Sequence, residues 1–178
     1  TNFNAAVAAK SGSGKSFLIN DVIMAYMGSG KGDRGAQVWC IDVGRSYEKM
    51  CEALGGEFIC FDENCNFSLN PFPSIIEWNE EVDMTLEWIY NMATNETEVL
   101  SAVQTSTISR HVNDLWEEYG KSLDITIIAE SLLNDPDPRI VDVGTQLFPF
   151  TENGPYGRFF SKDYPPLSID NDFVVLEL

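Results

Sequence analysis

Six residues into the chain, the stretch Val7-Ala8-Ala9-Lys10-Ser11-Gly12-Ser13-Gly14-Lys15-Ser16 restricts the fold more than any other feature. A small-residue apolar segment, Asn4 to Ala9, reads as a strand, and after two closely spaced glycines the run from Phe17 to Met27 reads as a helix with Ile19, Val22, Ile23 and Tyr26 along one stripe. Strand, glycine turn, helix is an arrangement that gathers backbone N–H groups and a helix N-terminus around an anion, because glycine tolerates positive φ and close backbone approach. The pattern G-x-x-x-x-G-K-[ST] is met at every position but the first, where Ala9 stands for glycine. That first position shapes the turn, whereas the phosphate contacts come from later ones. On this reading Ser11, Gly12, Ser13, Gly14, Lys15 and Ser16 cradle a nucleoside triphosphate, Lys15 is the catalytic cation reaching the β- and γ-phosphates, and the Ser16 hydroxyl completes the shell of a magnesium ion. The alternative is a structural turn with a chance lysine. The similar letters of Gly28-Ser29-Gly30-Lys31-Gly32 follow no strand and lack the hydroxyl, so they read as a turn.

Beyond the loop, Gln37 to Val43 and Glu57 to Phe61 read as strands flanking a short helix, Ser46 to Leu54, that stops at Gly55-Gly56. Alternation of apolar strands and helices predicts a mainly parallel α/β sheet. From Glu77 to Phe148 only helical patterns recur: Glu80 to Ala93, a long helix opened by a capping box at Asn95 to Glu98 and ending at Tyr119, Ile125 to Leu133 capped by Asp124, and a last helix started by Asp135-Pro136-Asp137-Pro138. Phe173 to Leu178 returns to strand. The expected organisation is therefore an α/β P-loop core over residues 1–76, an all-α insertion over 77–150, and a return to the core over 151–178.

With 28 acidic against 11 basic residues the net charge is -17, a field that repels phosphate backbones and argues against strong direct nucleic-acid binding by this segment. No apolar run approaches the ~20 residues that span a bilayer, and no signal-peptide pattern opens the chain, so a cytoplasmic address is expected. Cys40, Cys51, Cys60 and Cys65 form no C-x-x-C pair, and His111, the single histidine, is remote; buried reduced thiols are expected rather than a zinc site.

Several residues carry two readings. Asp42 ends an apolar strand as a magnesium-holding aspartate does, or else orients the site or pairs with Arg45; Glu177 ends a similar run as a catalytic carboxylate or as a strand-end glutamate. Arg158, in Gly154-Pro155-Tyr156-Gly157-Arg158-Phe159-Phe160, is an arginine finger or a surface cation, His111 a surface or interface residue, and Trp78, Trp88, Tyr90 and Trp116 are core aromatics.

Taken in order, Asn4 to Phe17, Trp39 to Tyr47, Asn66-Phe67-Ser68-Leu69-Asn70-Pro71-Phe72, Gly154 to Phe160 and Val174 to Glu177 resemble the TraC-type ATPases, the conjugative-transfer ATPases of bacterial type IV secretion systems, related to FtsK-like DNA pumps. The resemblance implies a RecA-like P-loop core with a helical insertion, hydrolysis of ATP with Mg2+, and a homo-oligomer, a hexamer, associated peripherally with the inner membrane through secretion-channel proteins. It implies nucleotide binding by Ser11 to Ser16. It further implies that the Walker B segment, an apolar strand ending in aspartate-glutamate, lies beyond Leu178 and that the chain is a fragment of an ATPase domain powering secretion, pilus assembly and DNA transfer. The alternatives are a small P-loop kinase, against which five thinly spread arginines argue, and a non-hydrolysing nucleotide-binding or assembly module.

Overall fold

The computed structural model describes residues 3–29, 36–94 and 99–178. Two units emerge, an α/β unit made of Thr1–Cys65 and Ser168–Leu178 and a helical unit, Asn66–Leu167.

In the α/β unit, α1 (Lys15–Gly28), β1 (Val38–Asp42), α2 (Glu48–Leu54), β2 (Glu57–Cys60) and β3 (Phe173–Glu177) follow in chain order. The sheet is parallel with order β1-β3-β2: Cys40 lies opposite Val175 on one side of β3, and Phe58 lies opposite Val175 on the other. The central strand is thus the last to be made. Phe173, Val174 and Val175 are fully buried, as a strand paired on both edges requires. One face is closed by Ile19, Ile23 and Met27 of α1 and Met50 and Cys51 of α2, packed against Val38, Cys40, Phe58, Phe173 and Val175. Asn171 sets the start of β3, accepting from the Phe173 amide at 3.0 Å and donating to the Gly55 carbonyl at 2.9 Å.

Three sequence readings change here. Asn4 to Ala9 is exposed and forms no strand, and Val22 and Tyr26, expected on the buried stripe of α1, are exposed, so that only Ile23 is buried. The capping box expected at Asn95 to Glu98 lies outside the described residues, as do Gly30 to Gly35 of the glycine-rich turn; the long helix opens later, at Ala102. There Ser101 Oγ accepts from the Gln104 amide and the Gln104 side chain accepts from the Ser101 amide, the reciprocal pairing that satisfies two helix-end donors.

The helical unit comprises α3 (Trp78–Met92), α4 (Ala102–Tyr119), α5 (Ile125–Leu133) and α6 (Pro138–Leu147). As expected, Asp124 caps α5 through the Ile127 amide at 2.9 Å, and Pro138 begins α6 after Asp137. Its core joins Leu86 and Ile89 of α3, Ile108 and Val112 of α4, Ile128 and Leu132 of α5, and Ile140, Val143 and Leu147 of α6. The expected core aromatics serve it: Trp78 stacks on Trp116 with centroids 4.5 Å apart, donates to Asn113 Oδ1 at 2.9 Å, and Phe72 leans on both. Buried Asn70 stitches the entry segment down, donating to the Leu123 carbonyl at 3.0 Å. At Gly154 and Gly157 a side chain would run into main chain, against Phe148 and Pro149 in one case and Thr151 in the other, which is why the turn tolerates only glycine.

His111 is a tether between helices. Its Nδ1 lies 2.7 Å from Ser131 Oγ on α5 and its Nε2 lies 2.9 Å from Asp135 Oδ2, in the turn before α6. The Asp135 carboxyl is held below the ordinary carboxylate range, chiefly by the Asp137 amide at 2.8 Å and then by His111. A depressed folded pKa stabilises the fold above the unfolded value and loses that contribution as pH falls through the folded one. Thermal melts are therefore expected to show stability falling below about pH 4, and the fall is expected to be shallower in Asp135→Asn than in the parent.

Candidate functional site

The conformation of the turn before α1 is set by Gly12, Ser13 and Gly14. Ser13 folds it back on itself, its amide and hydroxyl both donating to the Lys10 carbonyl, at 3.2 and 2.7 Å. Gly12 has φ 77° and Gly14 φ 90°, conformations that an L side chain rarely adopts, so these two positions require glycine for backbone conformation even though space around each is open. Gly14 is the N-cap of α1; it supplies no side-chain cap, and no acidic residue occupies the first helical turn. The leading N–H groups of a 14-residue helix and its positive end are thereby left to an outside anion. A cavity of about 590 Å³ opens there, lined by Ala9, Lys10, Ser11, Gly12, Gly14, Lys15, Ser16 and Phe17. Its donors, two ammonium groups, hydroxyls and backbone amides without an internal acid, suit a polyphosphate, and the Ser16 hydroxyl suits a magnesium ion accompanying it. Lys10 and Phe17 were not singled out by the motif; they reach the cavity simply by flanking its turn.

Asp42 and Glu177 lie opposite one another at the carboxyl ends of β1 and β3, and neither lines that cavity. Glu177 is buried, with Oε1 accepting from the Gly44 amide at 2.7 Å and Oε2 from the Arg45 amide at 3.0 Å. The consecutive positive φ values, 110° at Gly44 and 56° at Arg45, aim both amides at one point and form a small concave anion nest filled by this chain's own carboxylate. Asp42 Oδ2 accepts from the Ser46 amide one step further on. The two carboxylates thus cage the β1–α2 loop. Arg45 does not pair with Asp42, one of the two readings open for it: its guanidinium lies 2.8 Å from Glu48 and 3.6 Å from Asp62 and covers the Phe58 ring. No periodicity announces this cage, since it joins residues more than 130 positions apart.

Arg158 sits in a single 3-10 turn of the helical unit, half-buried, with Nε shielded from solvent and its guanidinium 5.8 Å from the Phe159 ring centroid. It is an anchored side chain rather than an exposed arm. Cys51 and Cys65 are buried, Cys40 and Cys60 half-buried, and all four are free thiols. Burial pushes the Cys40, Cys51 and Cys60 thiols up from their ordinary range, which keeps them protonated and unreactive.

Residues 1–134 match the TraG P-loop domain. The chain belongs to that family. Protein TraC of Escherichia coli (strain K12) is 29% identical over 188 residues, an alignment that takes in 100% of this chain and 21% of TraC. VirB4 of Thermoanaerobacter pseudethanolicus shares the fold with a TM-score of 0.66 over 96% of this chain and 48% of its own, at 18% identity. The resemblance to TraC-type ATPases of type IV secretion holds, as does the P-loop α/β fold with a parallel sheet. These 178 residues span about a fifth of the TraC relative. Among the described residues no helix of this family member is long and apolar enough to cross a membrane.

The Glu177 cage makes a quantitative expectation. Glu177→Ala removes the acceptor of the Gly44 and Arg45 amides and is expected to lower unfolding free energy by about 2 kcal/mol in denaturant titrations. Glu177→Gln keeps one acceptor oxygen and is expected to cost less.

Proposed function

We propose that the chain is the phosphate-binding part of a motor ATPase that hydrolyses ATP with Mg2+ to power type IV secretion, pilus assembly and conjugative DNA transfer. The observation that carries this reading is the uncapped, acid-free N-terminus of α1 behind Gly12 and Gly14, facing a cavity with Lys10, Lys15 and Ser16 on its walls. The backbone amides of Ser11 to Lys15 hold the phosphate oxygens in place, and Lys15 spreads the charge that builds on the transferring phosphoryl group. The Ser16 hydroxyl would hold a magnesium ion, which when bound would supply further charge neutralisation. Glu177 is committed to the Gly44 and Arg45 amides and Asp42 to Ser46, so in this proposal neither carboxylate serves the phosphates. In this proposal the full-length protein acts as a hexamer in the cytoplasm, docked on channel proteins at the inner membrane.

The same engagement of both carboxylates favours a second reading for these 178 residues taken alone, a module that binds nucleotide without turning it over. Two measurements decide between them. Titration calorimetry with Mg-ATP is expected to show binding by the parent chain and at least ~100-fold weaker binding by Lys15→Ala, since a charge-assisted contact to phosphate contributes about 3 kcal/mol when desolvated; equal affinities defeat the nucleotide site altogether. Phosphate release measured on full-length protein and on this chain is expected in the first and at background in the second.

A further inference from the structure

Both lysines of the helical unit reach one cavity. Between Asn66 and Leu167 the only lysines are Lys121 and Lys162, and together they line a cleft of about 410 Å³ that lies wholly within that unit. In a chain of net charge -17 a lysine is ordinarily drawn to a carboxylate. Lys162 obeys, pairing through Nζ with Asp124 Oδ2, on the carboxylate that also caps α5. Lys121 forms no ion pair among the described residues, and Glu81 feels only its more distant field. A smaller cavity of about 240 Å³ shares Lys162 but takes in Asp124 and Glu152, so the two ammonium groups meet only in the larger one.

The walls of this cleft are cross-linked by main-chain hydrogen bonds. The Ser68 amide donates to the Pro165 carbonyl at 2.8 Å and the Ser68 carbonyl accepts from the Leu167 amide at 2.8 Å, a parallel bridge that fixes Ser68 beside Pro166. Asn70 ties in the turn that carries Lys121 and Ser122, donating to the Leu123 carbonyl at 3.0 Å. Proline at 73, 165 and 166 stiffens the same segments. Two of the lining residues are deeply buried, Ser68 at 3% and Asn70 at 4% exposure. Ser68 Oγ accepts from the Asn70 amide at 3.2 Å, and its own hydroxyl hydrogen meets no acceptor among the described residues. The Asn70 side chain gives one N–H to Leu123 and has a second to give. Buried donors left without acceptors are costly, so these two mark a place for an acceptor from outside the chain.

We propose that the cleft binds a small organic anion, a carboxylate or phosphate head on a compact apolar body. The head accepts from the Lys121 ammonium, the Ser68 hydroxyl and the Asn70 side-chain amide, and the body lies against Tyr164 and Pro166. Asp163 is the one carboxylate of the lining, set against two ammonium groups and three serine hydroxyls, so the balance of the wall is toward donors. The volume is within the roughly 300–1,000 Å³ typical of small-molecule sites and has room for a ring beside the charged head. None of Ser11 to Ser16 takes part, so this site stands apart from the nucleotide reading.

Amide chemical shifts of the 178-residue chain, followed while benzoate or phenyl phosphate is titrated in, test it. Saturable shifts are expected at Ser68, Asn70, Lys121, Ser122 and Lys162, and the tighter probe tells a carboxylate site from a phosphate site. Benzyl alcohol, a similar ring without the charge, is expected to bind at least ~10-fold more weakly than the tighter anion. Lys121→Gln, at an exposed position, is expected to weaken that anion by a similar factor and to leave benzyl alcohol unchanged. Ser68→Ala, which removes only the hydroxyl, is expected to weaken the anion as well. Absence of saturable shifts at these residues overturns the proposal, as do equal affinities for the three probes or undiminished anion binding by Lys121→Gln. Phenyl phosphate shifts confined to Ser11 to Ser16 also overturn it while supporting the nucleotide site, which keeps the two readings separate.

Discussion

The α/β unit depends on a strand that arrives late. Phe173 to Glu177 slides between β1 and β2, and without it Val38 to Asp42 and Glu57 to Cys60 share no partner. Its apolar half builds the core beneath α1 and α2, and its last residue, Glu177, reaches over to hold the Gly44 and Arg45 amides. One five-residue segment thus supplies the hydrogen-bond ladder, the centre of the core and the clamp on the β1–α2 loop. Closing a contact across more than 100 residues is entropically expensive, yet the cost grows only slowly with loop length, and the intervening residues have a core of their own.

That second core explains why the insertion can interrupt the sheet. The helical unit gathers Phe72, Ile89, Ile108, Val112, Leu132, Ile140 and Leu147 into a single buried cluster and ties its polar members internally, Asn70 to Leu123 and His111 to Ser131 and Asp135. The side-chain caps of α4, α5 and α6 are made within Asn66–Leu167. In the α/β unit, α1 exposes five large apolar side chains, and β1 has one edge without a partner strand among the described residues.

Much of this was legible in the residues. The helices at Ile125–Leu133 and Pro138–Leu147 were read from caps and proline, which act within a turn of themselves, and the strands Val38–Asp42 and Glu57–Cys60 from short apolar runs bounded by glycine. The glycine turn and the cavity-lining Ser11, Gly12, Gly14, Lys15 and Ser16 were visible because such a turn is a local device, set by backbone conformation at Gly12 and Gly14 and by the helix that follows. What misled was burial. Ile19, Val22, Ile23 and Tyr26 share a stripe on α1, but the sheet beneath reaches only part of it, so Val22 and Tyr26 stay exposed.

The sequence alone determined the glycine turn before α1, the two kinds of secondary-structure grammar and the acidic character of the chain, since each follows from residues within a few positions of one another or from simple counting. Tertiary structure alone decided the strand order, the role of Glu177 as acceptor for two loop amides, and the burial of Arg158 Nε. A carboxylate at a strand end looks the same in a sequence whether it faces water, a metal ion or a backbone amide. Which of these it meets depends on groups brought alongside from more than 130 residues away, and only the folded chain brings them there.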